Sequence, residues 1–480
     1  MATSHKTCYI RTFGCQMNEH DSQKMRLLLG RLGYVSIDDP EKANLILFNT
    51  CTIREKAHHK AISEIGRSSI YKRQRPATLI GVCGCVAQQE GVKLAERFPH
   101  VDLVFGPDQI HILPQFLEKL NSATGVSPVA KKSDLDSRDG CPTIMKKSGP
   151  ALALDLVDDP HKYSFICDTP DKVASGSAFV TVTKGCNCAC TYCIVPSVRG
   201  REVSREADDI IDEVKKLVKA GVKEVTLLGQ NVTSYNPPTP PLEKGGIRKS
   251  PLFRNGSKGG LAGLINRLAA ETDILRIRFT SPNPKDATDE LIHEFLENAK
   301  LCPHIHLPIQ SGSNVILKKM RRGYTREKYL EIIDALRKAR PEISITSDFI
   351  VGFPGETEEQ FEETLDLLRY VQFDSIFAFK YSPRPQTQAA IDFEDSVSIS
   401  VKETRLDQVL SLQRKITRAK NEALVGQIQE LLVTGNDRQK TGRLMGRLLD
   451  NRIVNFAGNC NLIGSIVRIR LTRALANSME

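Results

Sequence analysis

Along the first part of the chain, short apolar runs alternate with longer stretches whose apolar positions recur every three or four residues. Short continuous apolar runs form buried strands, and the 3.6-residue spacing forms amphipathic helices. This pattern predicts strands at Thr7–Phe13, Asn44–Asn49, Thr78–Val82 and Val101–Phe105. It predicts helices between and after them at Met17–Leu32, Arg54–Arg75, Ala87–Arg97 and Gln109–Leu120. Strict β/α alternation implies a parallel, doubly wound sheet.

From about Val173 the alternation resumes. Strands are expected at Ala178–Thr183, Glu224–Leu228, Ile274–Phe279, His304–Leu307, Ser344–Val351 and Ser375–Phe379. Helices are expected at Ala207–Ala220, Gly260–Thr272, Lys285–Asn298, Thr325–Arg340 and Glu356–Val371. Six such units predict a partial barrel with its chemistry at the strands' carboxyl ends. Polar and glycine-rich signals fall there: Gly229-Gln230-Asn231, Ser281-Pro282-Asn283-Pro284, Gln310-Ser311-Gly312-Ser313 and Gly352-Phe353-Pro354-Gly355. Each alone is turn chemistry; together they suit a polar cofactor laid across the barrel mouth.

After Leu424 the texture changes to short alternating segments, Ile428–Thr434, Leu444–Leu449, Ile453–Phe456 and Gly464–Leu471. Arg443, Arg447, Arg452, Arg468, Arg470 and Arg473 are interleaved. A small antiparallel β-barrel with a basic face is expected, a form that often binds RNA. The bland alternative is a packing domain with solvated arginines. The preceding helix adds Arg414, Lys415, Arg418 and Lys420. Domain limits follow at 5–122, 172–413 and 416–478, with a linker or insertion at 123–171 and a low-complexity insertion at 236–259.

Composition narrows the class. The 480 residues are 40% hydrophobic and 26% charged, ordinary for a folded soluble chain. No apolar run approaches the ~20 residues that span a bilayer, and the start shows no signal or transit pattern. A cytoplasmic protein is expected, acting as a monomer and without a membrane partner. The net charge of +10 favours an anionic partner, nucleic acid first among them.

Thirteen cysteines in such a chain argue for metal or cluster binding rather than a disulfide framework. Cys186, Cys190 and Cys193 form a C-x3-C-x2-C run in a loop leaving a strand. Three thiolates can hold a four-iron cluster and leave one iron open for chemistry. A zinc knot recruiting Cys188, or an electron-transfer cluster with a distant fourth ligand, remain open on spacing alone. Cys15, Cys51 and Cys85 each lie just past a strand of the first sheet. Right-handed crossovers place all three on one sheet edge, the usual ligand edge of such folds. A second metal or cluster site is therefore expected. Cys8, Cys83, Cys141, Cys167, Cys302 and Cys460 have no partner at ligand spacing and are expected as incidental thiols.

These motifs together resemble the radical S-adenosylmethionine methylthiotransferases. The resemblance rests on the cysteine run with Ile194-Val195-Pro196 and Arg199-Gly200-Arg201-Glu202, and on Cys15, Cys51 and Cys85. His306-Leu307-Pro308-Ile309-Gln310-Ser311-Gly312-Ser313, Met320-Arg321-Arg322-Gly323-Tyr324-Thr325 and Asp348 to Thr357 are similar to family motifs as well. It covers nearly the whole chain apart from the two insertions. Phe13-Gly14-Cys15-Gln16-Met17-Asn18, Tyr381-Ser382-Pro383-Arg384-Pro385 and Asn451 to Phe456 resemble the branch that acts on N6-isopentenyladenosine in tRNA. Other branches act on threonylcarbamoyladenosine in tRNA or on ribosomal protein S12. A non-catalytic Fe–S protein that binds RNA is the rival from another class. The chain departs from the family pattern at Cys188, Ser197, Asn283 and Gln386, and none of these is an expected cluster ligand.

The resemblance implies an α/β fold of three parts: a doubly wound parallel sheet, a partial (β/α)6 radical-SAM barrel and a carboxy-terminal TRAM domain. It implies two [4Fe-4S] clusters. Cys186, Cys190 and Cys193 would hold the one that cleaves S-adenosylmethionine to a 5′-deoxyadenosyl radical. Cys15, Cys51 and Cys85 would hold an auxiliary cluster carrying the sulfur to be inserted. Two S-adenosylmethionine molecules would serve, as radical source and as methyl donor, with Gln230, Asn231, Gln310 and Asp348 as expected contacts. The implied partners are tRNA carrying isopentenyladenosine, an electron-donor protein and a sulfur-supplying system. The implied reaction is methylthiolation of adenine C2 at tRNA position 37, beside the anticodon.

Overall fold

A computed structural model describes residues 6–52, 55–122, 151–157, 163, 169–237, 259–437, 441–476 and 478–480. The chain forms two compact units. One comprises Met1–Asp168, Lys184–Asn187 and Ile194–Val203; the other comprises Thr169–Thr183, Cys188–Cys193 and Ser204–Glu480.

The first unit is built on six parallel strands: β1 (Lys6–Thr12), β2 (Tyr34–Ser36), β3 (Leu45–Thr50), β4 (Leu79–Gly84), β5 (Leu103–Phe105) and β6 (Ala151–Ala153). Their order is β2-β1-β3-β4-β5-β6. Helices cover both faces, which is why β3 reads as a continuous apolar run. Leu45 and Leu47 pack with Met25, Leu29 and Phe116 on one face. Ile46 and Phe48 pack with Ala61, Ile65 and Leu94 on the other.

Three local expectations are corrected. The helix expected over Arg54–Arg75 is two helices, Glu55–Arg67 and Ser69–Gln74. Ser68 breaks it, because its hydroxyl donates to the Ile65 carbonyl at 2.6 Å and competes with the helix ladder. Pro107–Ile112 is a 3₁₀ turn ahead of helix Leu113–Ser122 rather than part of one helix. The helix expected from Lys285 starts at Asp289, where the Thr288 side chain accepts from the Leu291 N–H. Two short strands escaped the periodicity. β2 follows Gly33, and β6 falls inside the expected 123–171 linker; three residues are too few to show a period. The remainder of that linker, apart from 154–157, 163 and 169–171, lies outside the described residues, as do Cys141, Cys167 and 238–258 of the second insertion.

The second unit carries the six expected barrel strands as two parallel three-stranded sheets. One orders Ser177–Thr181, Glu224–Leu228 and Arg276–Phe279 with the second of these central. The other orders His304–His306, Ser344–Val351 and Ser375–Lys380, again with the second central. A parallel bridge pairs Ile277 with Leu301, just ahead of the strand His304–His306. Val225, Leu227, Ile277, Phe279, Ile345, Phe349 and Ile376 face the helices and form one core. The long helix Ile399–Glu422 leads to a four-stranded antiparallel sheet with the core Leu431, Val433, Leu444, Leu448 and Val454.

A turn of that last sheet is bonded to barrel strands and to the turn before one of them. The Arg278 guanidinium donates to the Leu448 and Leu449 carbonyls at 2.7 and 2.9 Å. Asn451 meets His304 at 3.4 Å, and Arg452 pairs with Asp374 at 2.6 Å. The expected basic face divides accordingly. Arg443, Arg447 and Arg452 are held by Asn455, Asn451 and Asp374. Arg468, Arg470 and Arg473 are exposed, as are Arg414, Lys415 and Arg418 on the helix. Among the described residues, no helix is long and apolar enough to cross a membrane.

Candidate active site

In the first unit, β1, β3 and β4 are neighbours and parallel, so their carboxyl ends share one edge. Cys15 is the N-cap residue of helix Gln16–Arg31, Cys51 directly follows β3, and Cys85 opens helix Cys85–Arg97. All three residues therefore stand on one sheet edge. The Cys51 contact, helped by the Arg199 guanidinium, holds the Cys15 thiol down to about 6. A thiol at a helix N-terminus is eased in the same direction. Burial pushes the Cys85 thiol up, and Arg199 partly offsets that.

Two glycines let the chain come this close. A Cβ on Gly14 (φ +104°) would lie 2.1 Å from Cys51 Cβ and 2.5 Å from its sulfur. A Cβ on Gly84 (φ +87°) would lie 2.4 Å from the Thr50 carbonyl oxygen. Gly84→Ala should therefore cost on the order of 2 kcal/mol through backbone strain and forced displacement. Its checkable sign is a lower thermal midpoint of the iron-free protein; an unchanged midpoint would show that the β4 end is looser than described.

Asn18 ties the edge together. Its amide donates to the carbonyls of Phe13 and Thr50, each at 2.9 Å. Its Oδ1 accepts from Arg199 at 2.8 Å, while Arg199 also donates to Asp21 at 3.0 Å. Cys83 is not part of the set, since its buried thiol points to the Phe48 carbonyl at 3.6 Å and burial raises it well above the ordinary range. Three thiols beside a buried guanidinium suit an anionic three-thiolate iron–sulfur cluster. Among the described residues, no group of three or more His, Cys, Asp or Glu converges as a single-ion site.

The C-x3-C-x2-C run is one continuous loop. The Cys186 N–H donates to the Gly200 carbonyl at 3.2 Å. In the second unit, the Cys193 N–H donates to the Cys190 carbonyl at 3.1 Å. Thr191 between them is pinned by the Met320 and Lys319 carbonyls at 3.1 and 3.0 Å. The Arg322 guanidinium donates to Cys190 Sγ at 3.2 Å and to the Pro308 carbonyl at 3.0 Å. Cys188 accepts from the amides of Asn283 and Asn231 at 3.3 and 3.7 Å, so two barrel-mouth side chains hold its thiol.

The expected S-adenosylmethionine contacts lie on barrel strand ends with unequal freedom. Gln230 is half-buried after strand Glu224–Leu228. Asn231 is buried and donates to Asp286 at 2.7 Å. Gln310, at φ +79°, stitches two strands by backbone bonds with Asp348 and Ile350. Asp348 is half-exposed and faces His306 at 3.4 Å. Gly229 lets the Thr183 hydroxyl come close to the backbone: a Cβ there would lie 2.1 Å from Thr183 Oγ1. The buried hydroxyls of Thr183 and Ser313 have no partner among the described residues. These features suit a polar ligand at the strand ends.

Sequence reasoning missed the cations beside the thiols. Arg199 and Arg322 stood in quoted motifs without a role. Their partners Asp21 and Cys190 are 178 and 132 positions away, so no local pattern pairs them.

Comparison with known proteins places the parts. The radical SAM superfamily matches residues 180–368. The uncharacterized protein family UPF0004 matches 7–106, and the TRAM domain matches 422–480. The chain is 43% identical to the tRNA-2-methylthio-N(6)-dimethylallyladenosine synthase of Syntrophotalea carbinolica, with 98% of each chain covered. It is 44% identical to the synthase of the same name from Geobacter metallireducens, covering 99% of this chain and 98% of that one. Among solved structures, the radical S-adenosylmethionine methyltransferase TsrM from Kitasatospora setae is similar with a TM-score of 0.52. That match covers 81% of this chain and 75% of TsrM at 15% identity, and bears on the fold alone.

Proposed function

The chain belongs to the family of tRNA-2-methylthio-N(6)-dimethylallyladenosine synthases, and from that premise we propose how its residues divide the work. The protein is a radical S-adenosylmethionine enzyme that methylthiolates C2 of N6-isopentenyladenosine in tRNA. It uses S-adenosylmethionine and an iron–sulfur cluster. The modified base is taken to be position 37, next to the anticodon.

The target is an aromatic C–H bond, neither acidic nor nucleophilic, so side-chain acid/base chemistry does not open it. In this proposal the bound cofactors supply the radical, the methyl group and the sulfur. Cys186, Cys190 and Cys193 hold the cluster that works with S-adenosylmethionine, and Arg322 orients Cys190. Gln230, Gln310 and Asp348 bind S-adenosylmethionine, with Asn231 acting through the Asp286 bond that shapes the mouth. Cys15, Cys51 and Cys85 hold a second, auxiliary cluster. Arg414, Lys415, Arg418, Arg468, Arg470 and Arg473 hold tRNA by phosphate contacts, which orient without reading sequence. An electron-donor protein and a sulfur-supplying system restore what each turnover consumes.

The observation that supports this division best is the placement of Cys15, Cys51 and Cys85 on one sheet edge, in a chain that also carries the C-x3-C-x2-C run. The experiment is nucleoside analysis of tRNA from a strain lacking this gene. The methylthiolated isopentenyladenosine should vanish and the unmethylthiolated form accumulate, with recovery by the native gene and none by a Cys51→Ala gene. An unchanged isopentenyladenosine profile, with loss at threonylcarbamoyladenosine instead, would overturn the substrate.

A further inference from the structure

We propose that Arg199 is a positioning residue of the Cys15, Cys51 and Cys85 site, which fixes the strand ends beneath the thiols and sets the reduction potential of the cluster they hold. This rests on those three residues being cluster ligands.

The positioning half follows from one network. Arg199 closes the short helix Val195–Arg199 and is 2% exposed. It donates to Asn18 Oδ1 at 2.8 Å. That bond orients the Asn18 amide, which donates to the Phe13 carbonyl just before Gly14-Cys15 and to the Thr50 carbonyl just before Cys51. Val198 of the same short helix packs with Cys85 and Ile194. One short helix therefore supports all three ligand positions. The planar fork of arginine meets Asn18 and Asp21 at once; the point charge of lysine does not.

The electrostatic half follows from burial. A charge this deep needs a counterion, and Asp21 supplies it at 3.0 Å. Asp21 is likewise 2% exposed. The Arg199 guanidinium and the Cys15 thiol share the acceptor Asn18 Oδ1, at 2.8 and 3.7 Å, which sets the cation beside that ligand position. The ligand edge thus has a buried cation next to it in a low-dielectric interior, where charges act strongly. A cluster becomes more negative when it takes up an electron, so a cation beside it favours the reduced form. Arg199 raises the potential and Asp21 lowers it.

The test uses the full chain with Cys186, Cys190 and Cys193 changed to Ala, so that only the auxiliary cluster remains. After reconstitution with iron and sulfide it should bind about four irons; binding none would instead defeat the ligand assignment. Its midpoint is then read by potentiometric titration followed by electron paramagnetic resonance. Asp21→Asn should shift the midpoint upward. Adding Arg199→Met to Asp21→Asn, which avoids stranding a buried carboxylate, should shift it back down. Arg199→Lys should stay nearer the parent than the methionine variant. Equal midpoints across the loaded variants would overturn the proposal. Should the double variant not load while Asp21→Asn does, the positioning role stands, and the midpoints of Asp21→Asn and Arg199→Lys alone decide the electrostatic one.

Discussion

Replacing Cys186, Cys190 and Cys193 together with Ala is expected to abolish reductive cleavage of S-adenosylmethionine. On the proposed two-cluster reading, the reconstituted protein should fall from about eight irons per chain to about four. No side chain can substitute, since radical generation belongs to the cofactor and the protein only holds and orients it. The loss should therefore be at least the many orders of magnitude that separate catalysed from uncatalysed chemistry. The measurements are 5′-deoxyadenosine formed under reductant and iron per chain. Continued 5′-deoxyadenosine formation would place the radical-generating cluster elsewhere. Cys188→Ala is the control: its thiol accepts from Asn231 and Asn283 and touches neither role in the proposal, so the iron count should hold.

The converse change, Cys15, Cys51 and Cys85 to Ala, should also remove about half of the iron, yet leave cleavage of S-adenosylmethionine in place. Methylthiolated product should disappear entirely. This separation is expected because the three thiols sit on the β1, β3 and β4 ends of the first unit, a sheet with its own two cores. The barrel strands have a separate core in the second unit. If this triple change ended cleavage and left the iron count untouched, the assignment of roles would be reversed.

Much of this was legible along the chain because it is written in local spacing. The six barrel strands, the four antiparallel segments and most helices follow from periodicity, whose signal lies within each element. The cysteine run is likewise local. Equivalent placement of Cys15, Cys51 and Cys85 after strands already implied a shared edge, because crossover handedness leaves little freedom.

Where signals were short or non-local, the chain was silent. Three residues of β2 or β6 show no period. Ser68 breaks a helix by a side-chain bond that competes with propensity. Nothing in the run of interleaved arginines told Arg452, held by Asp374 78 positions away, from exposed Arg468 and Arg470.

The sequence by itself determined which elements form, where the thiols stand along them and which family the motifs resemble. Only the tertiary structure decided which cations stand beside those thiols: Arg199 on Asn18 and Asp21, and Arg322 on Cys190. The reason is electrostatic. A buried charge is tolerated only where a partner meets it, and here each partner comes from a distant part of the chain.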